Sequence, residues 1–387
     1  MSTELEQQLR AGFDRLPKPT REISHSARAA ALDALGPSRR RSRGGLVLVA
    51  FAVAFAVGAG AAALAATGNL HVRIGARGKT VRPVTTLLAV PPGSHGVAVV
   101  AGGKLWLATR GGLRIEGMPV SAAELSPRAL YAVVGIGSSL VTLAPGNRRP
   151  WVHQTGGRVV GAAWSPDGLK IAYVVARRGG DELRLIEGDG SPDRLLVRPV
   201  RRVRPSWRAD SLAVAYVDAR GRGAVFDLSS GRRRTFDTRR CGGVAREVAY
   251  DRRAPALAVV SEHGVAVVRR WNRPAPCATL DLSASPIAAG WLRGGQMVLA
   301  VDRGLGSSLQ RLSATNLTEA GSASGRAVMS GLAVAPTGSS VAVALRRSPK
   351  VVDVGIISSP ETGARLKLNR LFLRIRAAPG TVSITWR

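Results

Sequence analysis

Apolar runs and polar turns succeed one another along most of residues 80–345 in a pattern that recurs about every 40 residues. A large apolar residue is followed by a polar or Pro/Gly turn and then by an Ala/Val-rich run. The clearest copy is Trp164-Ser165-Pro166-Asp167-Gly168, followed by Ile171 to Val175. A second is Trp207-Arg208-Ala209-Asp210-Ser211, followed by Leu212 to Val217. Weaker copies are anchored at Val90, Leu125, Tyr250, Trp291 and Val334, giving successive steps of 35, 39, 43, 43, 41 and 43 residues. Ala/Val-rich runs of this length bounded by turns predict β-strands, and a repeat of this size predicts four short strands per unit.

The turn has a physical basis. Pro166 presets φ, Asp167 bonds its own backbone, and Gly168 supplies positive φ. The apolar run after each turn has no polar face, so it is predicted to be buried on both sides between neighbouring units. Such units cannot cover their faces alone and must stack. The expected fold is all-β: a β-propeller of four-stranded antiparallel blades. Seven anchors predict seven blades, with six or eight open. The terminal Val382-Ser383-Ile384-Thr385-Trp386-Arg387 repeats the form of Pro205-Ser206-Trp207-Arg208 with no blade after it. It is expected to close the ring against Val97 to Val100, removing an exposed sheet edge.

The W-S-P-D-G phrase followed by an apolar strand resembles the WD-like repeat of TolB-like bacterial β-propellers. The resemblance covers about residues 80–387 and is sharpest at 160–175 and 203–217. It implies an envelope protein and a binding scaffold, without naming a ligand. Elsewhere the turn has drifted, as at Asp251 to Ala254, Arg293 to Gly295 and Pro336 to Gly338.

Residues 46–66 are 21 consecutive residues without a charge, long enough as a helix to cross a bilayer core. Arg39, Arg40, Arg41 and Arg43 precede them, and positive flanks remain cytoplasmic. The expected organisation is a cytoplasmic helical region at 1–38, a basic flank and transmembrane helix at 39–66, a linker at 67–82, and an extracytoplasmic propeller at 83–387. The expected location is therefore the cell membrane, with one span and the N-terminus inside. Cleavage after an Ala63-Leu64-Ala65 signal is the competing reading.

Leu5, Leu9, Phe13 and Leu16 fall at helical spacing before Pro17 and Pro19, and Thr20 caps a second apolar-faced stretch. Short cytoplasmic helices, one span and an exported domain together resemble membrane-bound anti-sigma factors of actinobacteria. That resemblance implies a transcription factor held by residues 1–35 while the propeller senses. The zinc motif of that class is absent, because no Cys precedes the apolar run.

The formal net charge is +31, carried almost entirely by Arg. Arg198, Arg201, Arg202, Arg204, Arg232, Arg233, Arg234, Arg239 and Arg240 form a candidate patch for an anionic wall polymer, lipid or protein, since the guanidinium fork grips carboxylate and phosphate. Nucleic acid is not expected, because aromatic residues are only 4 % of the chain and the expected compartment is wrong. Cys241 and Cys277 bracket the fifth repeat and are a candidate disulfide in an exported domain. No nucleophile, metal or cofactor motif stands out among the five His and the Gly-rich turns, so no enzyme activity, cofactor or metal is expected.

Overall fold

The computed structural model describes residues 90–387 apart from 92, 270–274, 282, 358–363, 366, 378–379 and 381. The expected cytoplasmic helices, the Arg39 to Arg43 flank, the apolar run and the linker lie outside the described residues. Among the described residues no helix is long and apolar enough to cross a membrane.

The described strands form seven sheets, each led by an inner strand that pairs antiparallel with the next strand in its blade. The inner strands are Ser383–Trp386 in blade 1, Ala122–Leu125 in blade 2, Arg158–Trp164 in blade 3, Ser206–Trp207 in blade 4, Ala245–Tyr250 in blade 5, Ser285–Trp291 in blade 6 and Val328–Val334 in blade 7. Each anchor from Leu125 to Val334 ends an inner strand. Val90 does not; it packs against the core shared by blades 1 and 7, and Trp386 takes the anchor position of blade 1. The closing register is Val97 opposite Trp386, Ala98 opposite Thr385, Val99 opposite Ile384 and Val100 opposite Ser383. Blade 6 gains a fifth, parallel strand at Ala364–Arg365, delivered by the connection between the last two strands of blade 7.

The second strand of each blade carries the burial. Ala213–Val217 and Leu257–Ser261 are buried at every position. Their two faces belong to different cores: Val214 and Tyr216 pack toward blade 3, while Ala213, Ala215 and Val217 pack toward blade 5. This is why the runs are apolar without alternation.

In the blade 3 turn, Ser165 Oγ meets Asp167 Oδ1 at 2.5 Å and accepts the Lys170 N–H at 2.8 Å, and Asp167 Oδ1 accepts the Leu169 N–H at 2.9 Å. Gly168 sits at φ 78°, where a Cβ is disfavoured. Asp210 performs the same cap for Leu212, and its carboxylate also takes Arg208 Nε. The two turns are linked, since Ser211 Oγ accepts the Asp167 N–H at 3.1 Å.

Neighbouring blades are stapled at the anchors. Trp207 Nε1 donates to the Ala163 carbonyl at 2.9 Å, and Trp291 Nε1 donates to the Ala249 carbonyl at 2.8 Å. At Gly161 a Cβ would stand 2.9 Å from the Arg204 Cα, so the chain entering blade 4 can approach blade 3 only because that residue is glycine.

Cys241 and Cys277 form a disulfide with Cα atoms 5.2 Å apart. It ties the connection from blade 4 into blade 5 to the outermost strand of blade 5, Cys277–Thr279.

Candidate functional site

Antiparallel blades place the first and third turns of every blade on one face, here the turn face. The second turns and the links between blades lie on the other, the connector face. A cavity of about 190 Å³ runs along the axis and is lined by all seven inner strands.

The residue one before each anchor points into it: Glu124, Ala163, Ser206, Ala249, Gly290, Ala333 and Thr385. Side chains alternate along a strand, so the residue three before each anchor shares that face. Arg204 and Glu247 occupy this position in blades 4 and 5, and Arg252 and Arg387 follow the anchors of blades 5 and 1. Small residues elsewhere leave room for these charges.

Glu124 is fully buried and saturated. Its Oε1 accepts Arg387 Nη2 at 2.5 Å, and its Oε2 accepts Thr385 Oγ1 at 2.9 Å and Arg204 Nη2. Burial pushes its pKa up, but Arg204, Arg387 and Thr385 outweigh burial and hold it below the ordinary carboxylate value. Glu247 is served less well. Burial pushes it up to about 7, and attraction to Arg204 and a bond from the Ala289 N–H only partly offset that. That N–H lies on the channel edge of blade 6, where an inner strand has no sheet partner.

Arg252 lies in the channel lining with its surface exposed, within the fields of Glu124, Arg204 and Arg387. Enclosure, then repulsion from Arg387, push its pKa down to about 9 against the attraction of Glu124, which still leaves it cationic at neutral pH. Among the described residues its guanidinium makes no hydrogen bond or ion pair. Arg387 Nε is buried without an acceptor.

The fold divides the expected arginine patch. Arg204 turns into the channel. Arg198, Arg201 and Arg202 lie at the end of blade 3 and in its link to blade 4 on the connector face, where Arg202 pairs with Asp181 at 2.8 Å and Arg198 donates to the Gly179 carbonyl at 2.7 Å. Arg239 and Arg240 are exposed on the same face in the link to blade 5. Arg232, Arg233 and Arg234 belong instead to the last turn and outer strand of blade 4, beginning on the turn face. The run thus supplies both faces and the axis rather than one patch.

A second polar cluster sits between blades 2 and 3. Asp193 accepts Tyr173 Oη at 2.8 Å, meets His153 Nε2 at 3.2 Å and pairs with Arg184 at 2.8 Å. Its oxygens are fully engaged, which fits a structural brace. Among the described residues no three His, Cys, Asp or Glu side chains converge as a metal site would require.

No family model matches the chain, and no curated protein matches it. Solved structures do resemble it in fold. The C-terminal WD40 domain of Sif2 superposes with a TM-score of 0.51 at 14 % identity, over 78 % of this chain and 88 % of that one. The Cps50 (Swd1) β-propeller domain of Myceliophteria thermophila gives 0.53 at 11 % identity, over 71 % and 96 %. TolB from Acinetobacter baumannii is a further neighbour at 0.47 and 14 % identity, over 77 % and 68 %. The chain is a seven-bladed β-propeller.

Proposed function

We propose that this chain is a single-pass, membrane-anchored, extracytoplasmic propeller that serves as a binding scaffold for a protein or anionic polymer of the cell envelope. The observation that carries the binding role is the closed ring with two loop-bearing faces, both carrying exposed Arg. The uncharged run at 46–66 behind Arg39 to Arg43 supports the anchor. The Cys241–Cys277 disulfide supports an oxidising compartment.

Two measurements test this. Protease added to intact cells should digest the propeller but not residues 1–38; protection of the propeller overturns the topology. Crosslinking from native membranes, with full-length protein and a form lacking residues 1–38, should capture the same envelope partner in both. A transcription factor captured by the full-length form alone would replace this reading with that of a transmembrane anti-sigma-like regulator.

A further inference from the structure

We propose that the axial channel is a binding site for a small free oxyanion of the phosphate or carboxylate class, gripped by Arg252 and the Nε edge of Arg387. The argument begins with charge. Arg204, Arg252 and Arg387 face one permanently ionised carboxylate, Glu124, whose two oxygens are already taken by Arg204, Arg387 and Thr385. Nothing is left for Arg252, and the buried Arg387 Nε has no acceptor.

Arg252 keeps the distant attraction of Glu124 but has no acceptor for its N–H groups, and the guanidinium fork is satisfied best by two oxygens of one planar or tetrahedral anion. Glu247 does not supply it, since it faces Arg204 and the Ala289 N–H.

The space fits a small ligand and not a polymer. A cavity of about 190 Å³ holds several waters, enough for phosphate or a short carboxylate. A second cavity of about 680 Å³ opens among blades 1 to 4 and shares Arg204 with the channel. Its lining includes Arg158, Arg202 and Arg204 and no acid, so its field draws anions toward the axis.

The test uses the full chain in detergent at low ionic strength, titrated with inorganic phosphate, with succinate, and with sodium chloride at matched ionic strength. Phosphate, succinate or both should raise the melting temperature saturably, beyond the chloride control, and which of them does so identifies the class. Arg252→Gln should fold, because the Arg252 side chain makes no bond to the protein, and should weaken binding at least tenfold. Arg252→Lys keeps the charge without the fork and should weaken it by a smaller factor. Arg232→Gln, on an exposed turn, should leave it unchanged. Equal responses to the oxyanions and to chloride would overturn the proposal. So would equal affinities of the Arg252 and Arg232 variants.

Discussion

Glu247 holds the least compensated carboxylate in the channel wall, and its titration has a definite sign. An unfolded Glu releases its proton near 4.5, whereas the folded one keeps it until about 7. Between those values the folded state binds more protons, so stability falls as pH rises through the window and is level above it. Glu247→Gln removes this dependence. The variant should match wild type at pH 4 and exceed it by about 1–3 kcal/mol at pH 8, read from denaturant melts across the range. A constant difference at both pH values would show that Glu247 does not titrate in this way. Of these channel charges only Arg204 stood out in the sequence, and as part of a surface patch rather than of a channel. Arg204 is one arginine in a dense run, and its acid partner lies 80 residues away. The usable signal was positional: aligning the repeats on their anchors puts mostly Ala, Gly or Ser one and three residues earlier, so Glu124, Arg204 and Glu247 are the charged exceptions.

At the scale of the blade, the anchor indole does two jobs, filling a core and bonding the neighbouring inner strand. Trp207 does both, whereas Trp164 Nε1 is buried without an acceptor. Trp207→Phe should therefore cost about 1–2 kcal/mol more than Trp164→Phe in the same melt, since only the first orphans a carbonyl. Equal losses would mean that packing alone sets the cost. The disulfide acts at this scale too. It closes a 36-residue segment around blade 5, and breaking it by Cys277→Ser should cost about 3–4 kcal/mol in the chain-entropy picture. A change below about 1 kcal/mol would show that the surrounding strands already hold blade 5. Blades were legible because each turn repeats a local device, as in Ser165 to Gly168. The division of Arg198 to Arg240 between two faces was not, because it depends on strand direction, which a charge run does not encode.

The whole ring depends on one pairing between residues nearly 300 apart in sequence, Val97 with Trp386. That pairing was legible because Pro205 to Arg208 and the chain's last six residues share a form, and an inner strand without its own blade has one productive place to go. Without Ser383–Trp386 the Val97 to Val100 edge is unpaired and Glu124 loses Thr385 and Arg387 together. A chain ending at residue 381 should melt earlier, lose its single cooperative transition and aggregate on heating. The loss could come from the missing ring contact or merely from removing buried apolar residues such as Ile384. A permutant separates the two. Arg387 already lies beside the first strand, its carbonyl accepting the Gly96 N–H at 3.1 Å. Splicing residues 382–387 directly ahead of His95 through a short turn therefore makes blade 1 continuous, like the other six. The permutant should regain the melting temperature of the parent. Failure to do so, with the strand restored in sequence, would show that joining the two ends of the chain is itself what holds the seven blades in a closed ring.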